Sequence, residues 1–289
     1  QYQSIGSMAI TQAKGILITY ISAKAVIDGE ITLGGMMAIQ YIVGLVSNPI
    51  QSLLGFIQSY QDAKMSLERI NEIYETEEEE NIHIDYINKL PENKTIDMRN
   101  VTFRYYGAGN EPVLSNLNLS FPEGKTTAIV GMSGSGKTTI IKLLLRFYQY
   151  EAGEITVGGK TIEQLSHSLW RDKCGAVLQD NYVYADTIER NIVVNDEYPD
   201  EEKLKTAIEI ANLDDFIAEQ PFGLATKLGT AGKGISQGQR QRLMIARAVY
   251  KDPAFLFFDE ATNSLDANNE KTIINNLSQF FKSKTVVVV

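Results

Sequence analysis

The N-terminal part of the chain is mostly apolar, and the rest of the chain contains many more polar residues. Residues 31–61 contain no Asp, Glu, Lys or Arg, and this run exceeds the roughly 20 residues that a helix needs to cross a bilayer. Residues 3–27 form a second apolar stretch, although Lys14 lies in its middle and Lys24 near its end. The pattern predicts about two membrane helices joined by a turn at 28–30. The alternative for each is a buried or amphipathic helix of a soluble protein.

After residue 61 the pattern becomes that of an amphipathic helix, and an acidic run follows it. Met65, Ile70 and Ile73 lie among charged residues, and residues 75–80 are Glu-Thr-Glu-Glu-Glu-Glu. Such a run is typical of a solvated linker. The chain accordingly divides into a membrane part with a cytoplasmic extension, an acidic linker and a globular domain: residues 1–75, 76–94 and 95–289.

From about residue 95 onward, strand-like and helical stretches alternate. Ile96–Phe103 alternates apolar and polar positions as a half-exposed strand does. Four later runs are rich in Val, Ile, Leu and Phe with little polar alternation, which is typical of a sheet covered on both faces. These runs are 126–131, 175–178, 254–259 and 285–289. The pattern predicts an α/β domain with a mostly parallel core sheet.

Composition narrows the function classes. The net charge of -9 and the pI near 4.9 argue against nucleic acid as a partner held by a broad basic surface. The single cysteine, Cys174, excludes an intramolecular disulfide and a multi-cysteine metal site, and we expect it to be a small buried residue. No signal-peptide pattern opens the chain. Because the last residues are an apolar β-branched run, we expect a piece of a longer protein, cut at both ends.

A glycine-rich loop lies between a predicted strand and a predicted helix. Its spacing, Gly-x-x-x-x-Gly-Lys-Thr, is that of a phosphate-binding loop in the context which that motif requires. Glycines let backbone N–H groups converge on phosphate oxygens, and the helix N-terminus favours an anion. Lys137 supplies a charge to the β- and γ-phosphates, and the Thr138 hydroxyl is placed to bind Mg²⁺. The predicted nucleotide-binding residues here are Gly131, Ser133, Gly134, Ser135, Gly136, Lys137, Thr138 and Thr139.

Two adjacent carboxylates end the strand-like run at 254–259. Neighbouring residues on a strand point to opposite sides. Asp259 and Glu260 can therefore have different roles. We expect Asp259 to bind Mg²⁺ and Glu260 to deprotonate the attacking water, with Lys137 as a further catalytic group. The alternative is a solvated strand end with two incidental acids.

A polar segment at 235–239, Ile-Ser-Gln-Gly-Gln, precedes a helical stretch. Ser236 is suited to cap that helix, and Gly238 permits close backbone approach. Without further context the segment is an ordinary capped helix.

Together these pieces resemble an ABC exporter half-transporter, namely its C-terminal transmembrane helices followed by its nucleotide-binding domain. Residues 235–239 are similar to the family's signature motif, whose usual form is Leu-Ser-Gly-Gly-Gln. The resemblance implies the P-loop NTPase fold with a helical subdomain, and ATP with Mg²⁺ as cofactors. It also implies that Tyr105 stacks on adenine. Gln179 would contact Mg²⁺ and sense the membrane part, and residues 187–191 would face that part.

In this family the nucleotide lies between two subunits. The resemblance therefore implies that Ser236, Gly238 and Gln239 act on the phosphate loop of a second copy, and that Asp266, in the D-loop, couples the two sites. A homodimer with two competent sites is the simplest assembly. A switch histidine would follow just beyond residue 289, and neither His83 nor His167 matches it; we expect both to be ordinary surface or interfacial residues. Residues 1–289 alone are accordingly expected to bind ATP poorly or hydrolyse it slowly.

Some positions depart from the family pattern. Ile235 replaces Leu, Gln237 replaces the first Gly, and Thr230 stands where many exporters carry Glu, which puts cross-subunit signalling in doubt. The signature and Asn263 make the chain most similar to bacterial exporters of peptides and bacteriocins, many of which carry a peptidase domain.

The leading hypothesis is an ATP-driven exporter of peptides in the bacterial cell membrane, multi-pass, with the nucleotide-binding domain in the cytoplasm. The alternatives are a lipid or drug exporter, a soluble ABC-type ATPase, and a regulatory module that binds ATP without hydrolysing it.

Overall fold

The computed structural model describes residues 2–75, 78–80, 84–107, 109, 111–180, 182–194, 196–261, 263 and 267–289. For residues 2–11, 231, 267 and 268 it describes the backbone alone. The chain forms two compact units, Gln1–Glu78 and Glu79–Val289.

The first unit consists of two long helices, α1 (Tyr2–Ile27) and α2 (Leu33–Tyr74). The turn expected between them is present, and Thr32 caps α2 by accepting a hydrogen bond from the Gly35 N–H at 3.1 Å. The Lys14 ammonium in α1 donates to the Ser47 hydroxyl in α2 at 3.2 Å, which gives the one charge in the middle of α1 a polar partner.

The α2 helix is longer than expected. The apolar stretch and the amphipathic helix after it form one 42-residue helix that continues through Pro49. Among the described residues, α2 is the one helix long and apolar enough to cross a membrane, as judged by length and composition. It has no buried residue within its own unit. The expected second span, α1, does not meet the same criterion over its described residues.

The placement of the membrane helices as C-terminal is wrong for this chain. Both long helices lie at its N-terminal side, ahead of the α/β unit. The last element along the chain is instead a buried strand, whose apolar β-branched residues favour a sheet interior.

The second unit is an α/β domain. Its strands within the described residues are β1 (Ile96–Phe103), β2 (Leu114–Phe121), β3 (Thr126–Ala128), β4 (Ala152–Val157), β5 (Lys160–Thr161), β6 (Cys174–Val177), β7 (Phe255–Phe258) and β8 (Thr285–Val288). Its helices there are α3 (Lys137–Leu144), α4 (His167–Lys173), α5 (Ile188–Val193), α6 (Glu201–Ile210), α7 (Asp214–Ala218), α8 (Gln237–Tyr250) and α9 (Ala267–Phe280). Short 3₁₀ turns occur at Ile162–Gln164, Gly223–Ala225 and Thr230–Gly232.

Two sheets organise this unit. The strands β3-β8-β7-β6 form a parallel sheet in that order, which confirms the expected parallel core. The strands β2-β1-β4-β5 form a second, antiparallel sheet. The β2 strand alternates Leu and Phe with polar residues, the period of a strand with one covered face.

The β7 strand is covered on both faces. Leu256 and Phe258 pack into a cluster that includes α5, α6, α8 and α9, whereas Phe255 and Phe257 pack into the cluster around the antiparallel sheet, α3 and α4. Phe255 also contacts Trp170, with ring centroids 4.8 Å apart. Because alternate residues of a strand point to opposite faces, an apolar run without alternation is what such a central strand requires.

The acidic run was expected to be a solvated linker, but two of its glutamates contact the α4 helix. The Glu79 carboxylate pairs with the Arg171 guanidinium at 2.6 Å, and the Glu80 carboxylate accepts from the backbone N–H groups of His167 and Ser168 at the start of α4. Further along, the Ile87 N–H donates to the Gln164 carbonyl at 2.7 Å. Residues 79, 80 and 87 of the predicted linker therefore belong to the α/β unit.

Candidate nucleotide-binding site

The glycine loop connects β3 to α3, as its sequence context predicts. Gly136 caps α3 with φ at +89°, in the left-handed region that favours glycine. A Cβ there would lie 2.8 Å from Leu114 Cδ2, and one on Gly131 would lie 2.8 Å from Ser135 Oγ. A side chain at either position would therefore displace its neighbour, and the loop is exposed from Gly131 to Ser135.

Lys137 folds back over this loop. Its ammonium donates to the carbonyl oxygens of Gly131 and Met132, each at 3.0 Å. The positive charge is therefore held directly above the backbone that a phosphate would approach. Anionic oxygens are stronger acceptors for an ammonium than neutral carbonyls.

Asp259 is buried beside the same loop, with 1% of its surface exposed. Neither carboxylate oxygen has a hydrogen-bond partner among the described residues. Burial raises the pKa of Asp259, and although the nearby Thr138 hydroxyl, Lys142 and Lys137 oppose that rise, none of them makes a hydrogen bond of normal geometry to it. Unpaired buried carboxylate oxygens are costly, and a bound cation would satisfy them.

These oxygens fit Mg²⁺, which takes oxygen ligands and is usually held by one or two protein groups together with phosphates and water. Asp259 and the Thr138 hydroxyl supply such oxygens. No group of three or more His, Cys, Asp or Glu side chains that could hold a metal occurs in the described part of the chain. A metal here would depend on the nucleotide for further ligands.

Glu260 differs from Asp259 in exposure, since Asp259 is buried and Glu260 is exposed. The β7 strand ends at Phe258, but the next two backbone N–H groups still donate on alternate sides, Asp259 to β6 and Glu260 to the residue that follows β8. Glu260 adopts φ +51°, a left-handed conformation in which the chain turns. Its Oε2 accepts hydrogen bonds from the Gln179 amide and from the Asn263 amide, the latter at 3.0 Å.

A cavity of about 250 Å³ adjoins Glu260 and Gln179. The first turns of α8 form part of its wall through Gln237, Arg240 and Gln241. Gln241 also donates to the Glu260 carbonyl at 2.9 Å. The base candidate is thus connected to α8 as well as to the ends of β6 and β7.

Tyr105 lies beside α3. Its ring makes T-shaped contacts with Phe103 and Tyr148, with centroids 4.9 and 5.2 Å away, and its hydroxyl lies 3.1 Å from Thr139 Oγ1. The neighbouring Tyr106 is fully exposed. Sequence reasoning missed Tyr148, since nothing in the local pattern after α3 distinguishes it from a core aromatic.

The polar segment before α8 is a capped helix start. Ser236 Oγ accepts from the Gln239 N–H at 3.1 Å, and Gln239 Oε1 accepts from the Ser236 N–H at 2.8 Å, a reciprocal capping box. Over the described residues no hydrogen bond joins either side chain to the phosphate loop. Within one chain, Ser236 and Gln239 are therefore engaged with each other.

A protein-family model described as "ABC transporter" matches residues 114–263, which is just over half of the chain. The chain belongs to the ABC transporter family. ATP is thus the ligand of its phosphate loop, and the second unit is an ABC ATPase domain.

The curated relatives are exporters of bacterial toxins by name. The chain is 36% identical over 285 residues to the alpha-hemolysin translocation ATP-binding protein HlyB of Escherichia coli O157:H7. It is 34% identical over 285 residues to the leukotoxin export ATP-binding protein LtxB of Aggregatibacter actinomycetemcomitans. It is 35% identical over 288 residues to the toxin RTX-I translocation ATP-binding protein of Actinobacillus pleuropneumoniae. In each case 98% of this chain matches, and it spans 40% of the relative's length.

A solved structure, that of a bacterial Atm1-family ABC exporter with ATP bound, is similar to the chain with a TM-score of 0.74 and 28% sequence identity. The similarity covers 99% of this chain and 51% of that one. It extends over the N-terminal helices as well as the ABC domain.

The predicted site residues that the structure describes fall into two groups in the ABC domain. The phosphate loop, Thr138 and Asp259 form one group, and Gln179 joins Glu260 rather than Asp259. Asp266 and the rest of the expected D-loop, 264–266, lie outside the described residues, as does His83. His167 is half-buried, and Arg146 Nη2 lies 2.6 Å from its Nε2.

Proposed function

We propose that this chain is part of an ATP-driven exporter subunit that couples ATP hydrolysis to transport across a membrane. The observation that carries the proposal is the Asp259 carboxylate, buried and without a hydrogen-bond partner among the described residues. Its neighbours are Thr138 and the Lys137 loop. A domain that only bound nucleotide as a structural ligand would have no need to keep an unpaired carboxylate beside an exposed Glu260.

The phosphate-loop residues hold the triphosphate. Backbone N–H groups of the loop and the start of α3 point toward its oxygens, with Ser133, Gly134, Ser135 and Thr139 contributing through the main chain. Lys137 exchanges its two carbonyl acceptors for phosphate oxygens. Thr138, Asp259 and Gln179 would hold Mg²⁺, which when bound would neutralise charge on the β- and γ-phosphates.

Glu260 acts as the base. Its carboxylate lies one residue beyond the metal-binding Asp259, faces an open cavity and is oriented by amide donors. A carboxylate so placed can accept a proton from a water that attacks the γ-phosphate. Tyr105 stacks on the adenine base, and Phe103 and Tyr148 hold its ring in place through T-shaped contacts.

A second copy of the chain completes the site. Ser236, Gly238 and Gln239 lie at the exposed start of α8, where an N-terminal helix dipole attracts an anion, yet they do not bond to the loop of their own chain. We place them on the nucleotide of the partner, with Asp266 coupling the two sites of a homodimer. ATP would close the dimer, and hydrolysis would reopen it.

The N-terminal helices favour a membrane protein. Large apolar side chains of α2 are exposed, among them Leu33, Tyr41, Leu53 and Phe56 at 59–68%, and water is an unfavourable neighbour for such a surface. Lipid and further transmembrane helices would cover it. We place residues 1–75 in the bacterial cell membrane as part of a multi-pass domain, 76–94 as the linker and 95–289 as the cytoplasmic nucleotide-binding domain.

Peptide or protein cargo is supported by the names of the relatives, which concern toxin translocation. The Atm1-family neighbour belongs to another group of exporters, so the shared motor does not by itself select the cargo. A lipid or drug exporter is the second candidate. Transport of fluorescent peptides, compared with lipid and drug probes, into inverted vesicles that hold the full-length protein separates these possibilities.

The hydrolysis proposal is tested by Glu260→Gln in the purified full-length protein. We expect ATP turnover to fall by at least about 100-fold while ATP binding persists and a closed dimer accumulates. Wild-type turnover in this variant would remove Glu260 from the mechanism. Membrane fractionation provides the second test, since a wholly soluble full-length protein is incompatible with an exporter.

A further inference from the structure

Asn263 is an exposed residue that none of the expected roles used, and its side chain contacts the proposed base. Its Nδ2 donates to Glu260 Oε2 at 3.0 Å, and its backbone N–H donates to the Glu260 carbonyl at 3.3 Å. Both contacts cross the short turn that follows Asp259. They fix the position of Asn263 relative to the Glu260 side chain.

Both side-chain hydrogen bonds to the Glu260 carboxylate are accepted by the same oxygen, Oε2. Gln179 Nε2 and Asn263 Nδ2 both donate to Oε2, whereas no donor reaches Oε1 within the part of the chain that the structure describes. Two donors from different segments restrict rotation of the carboxylate. Oε1 is therefore the oxygen left to accept a proton, and its direction is set by the donors on Oε2.

The two donors differ in whether they are expected to keep their hydrogen bond to Glu260 during turnover. Gln179 is also the residue proposed to contact Mg²⁺ through its amide oxygen, so the position of its side chain depends on the metal as well as on Glu260. Asn263 has no such second partner among the described residues. When Gln179 turns toward the nucleotide, Asn263 is the donor that continues to hold Oε2.

We propose that Asn263 is a positioning residue for hydrolysis, whose amide fixes which oxygen of Glu260 faces the attacking water. The inference rests on the proposed role of Glu260 as base. Asn263 itself touches neither nucleotide nor water in this account. Its contribution is to turnover and not to ATP binding.

The test compares substitutions at residue 263 in the full-length protein. Asn263→Ala removes the donor, and Asn263→Ser keeps a shorter hydroxyl donor at the same place. We expect the alanine variant to lower kcat about tenfold with the KM for ATP unchanged within about twofold, and the serine variant to recover part of the loss. Asn275→Ala, at an exposed position on α9, is the matched control and should behave as wild type.

Three results separate the inference from the function on which it rests. Wild-type kcat in Asn263→Ala, or equal loss in the alanine and serine variants, overturns the positioning role. A rise in KM that accounts for the whole loss also overturns it, since binding and not orientation would then be affected; direct binding of a fluorescent ATP analogue checks this. If Glu260→Gln retains full turnover, it is the proposed base that fails.

Discussion

The Lys137 ammonium donates a hydrogen bond to the Gly131 carbonyl oxygen across the glycine loop, at 3.0 Å. Lys137, the first residue of α3, is thus hydrogen-bonded to Gly131, the first residue of the loop. The same nitrogen bonds to Met132 at the same distance, so the loop is closed by its own lysine.

Replacement of this lysine should abolish nucleotide binding. In Lys137→Ala we expect the Kd for ATP to rise at least about 100-fold, because charge-assisted bonds to phosphate oxygens are lost. Equilibrium binding of a fluorescent ATP analogue measures it. Lys160→Ala, at an exposed position in β5, is the control, and near-wild-type affinity in Lys137→Ala would show that the ammonium does not reach the phosphates.

Gly153 should be far less tolerant of a side chain than Gly159. Both have positive φ, at +96° and +79°, so an alanine at either costs about 1 kcal/mol of backbone strain. A Cβ on Gly153 would also lie 2.5 Å from the carbonyl oxygens of Arg99 and Asn100, while one on Gly159 meets nothing within 4 Å.

We therefore expect Gly153→Ala to lower the free energy of unfolding by about 2 kcal/mol more than Gly159→Ala. Chemical denaturation of the two variants measures the difference. Equal destabilisation would mean that β1 yields at the irregularity between Arg99 and Thr102 without cost.

The Glu80 carboxylate should stabilise the ABC domain by capping α4. Glu80→Ala removes an anion from the first N–H groups of that helix, which contributes about 0.5–1 kcal/mol in such positions. The thermal midpoint should fall by a few degrees, and the loss should shrink at high salt. Glu78→Ala, in the same acidic run, is the control, and an equal fall there would point to general charge effects.

Cys174 should resist alkylation in the native protein. Burial raises the pKa of its thiol well above the usual value, and the reactive species is the thiolate. Mass spectrometry of the Cys174 peptide after maleimide treatment at neutral pH should show little labelling until denaturant is added. Rapid labelling under native conditions would reveal local opening around β6.

The sequence predicts the site better than it predicts the backbone around it. The phosphate loop and the cap at Ser236 are recognisable because their spacing and flanks are local. The sequence predicts that Asp259 and Glu260 point to opposite sides of a strand, but it does not predict the left-handed backbone conformation of Glu260 after the strand has ended. No pattern of residue types marks a positive φ at a glutamate.

Long-range contacts account for the other differences. The β2 and β4 strands were not assigned, although Leu117, Leu119 and Phe121 alternate clearly enough to mark β2. The docking of Glu80 on α4 joins positions far apart in sequence, and a charge run alone suggests only solvation.

The strand order also constrains when the protein can fold. Since β8 lies between β3 and β7, the last of these four strands to be synthesised fills the middle of the parallel sheet. Thr126 beside the phosphate loop pairs with Val286, so the nucleotide cradle stays without its neighbouring strand until synthesis reaches that point. Until then the facing edges of β3 and β7 are unpaired and able to associate with other chains. The parallel sheet of the nascent ABC domain is therefore completed late and through contacts between distant parts of the sequence. Before β8 is in place, chaperones would be most needed to cover the unpaired edges of β3 and β7.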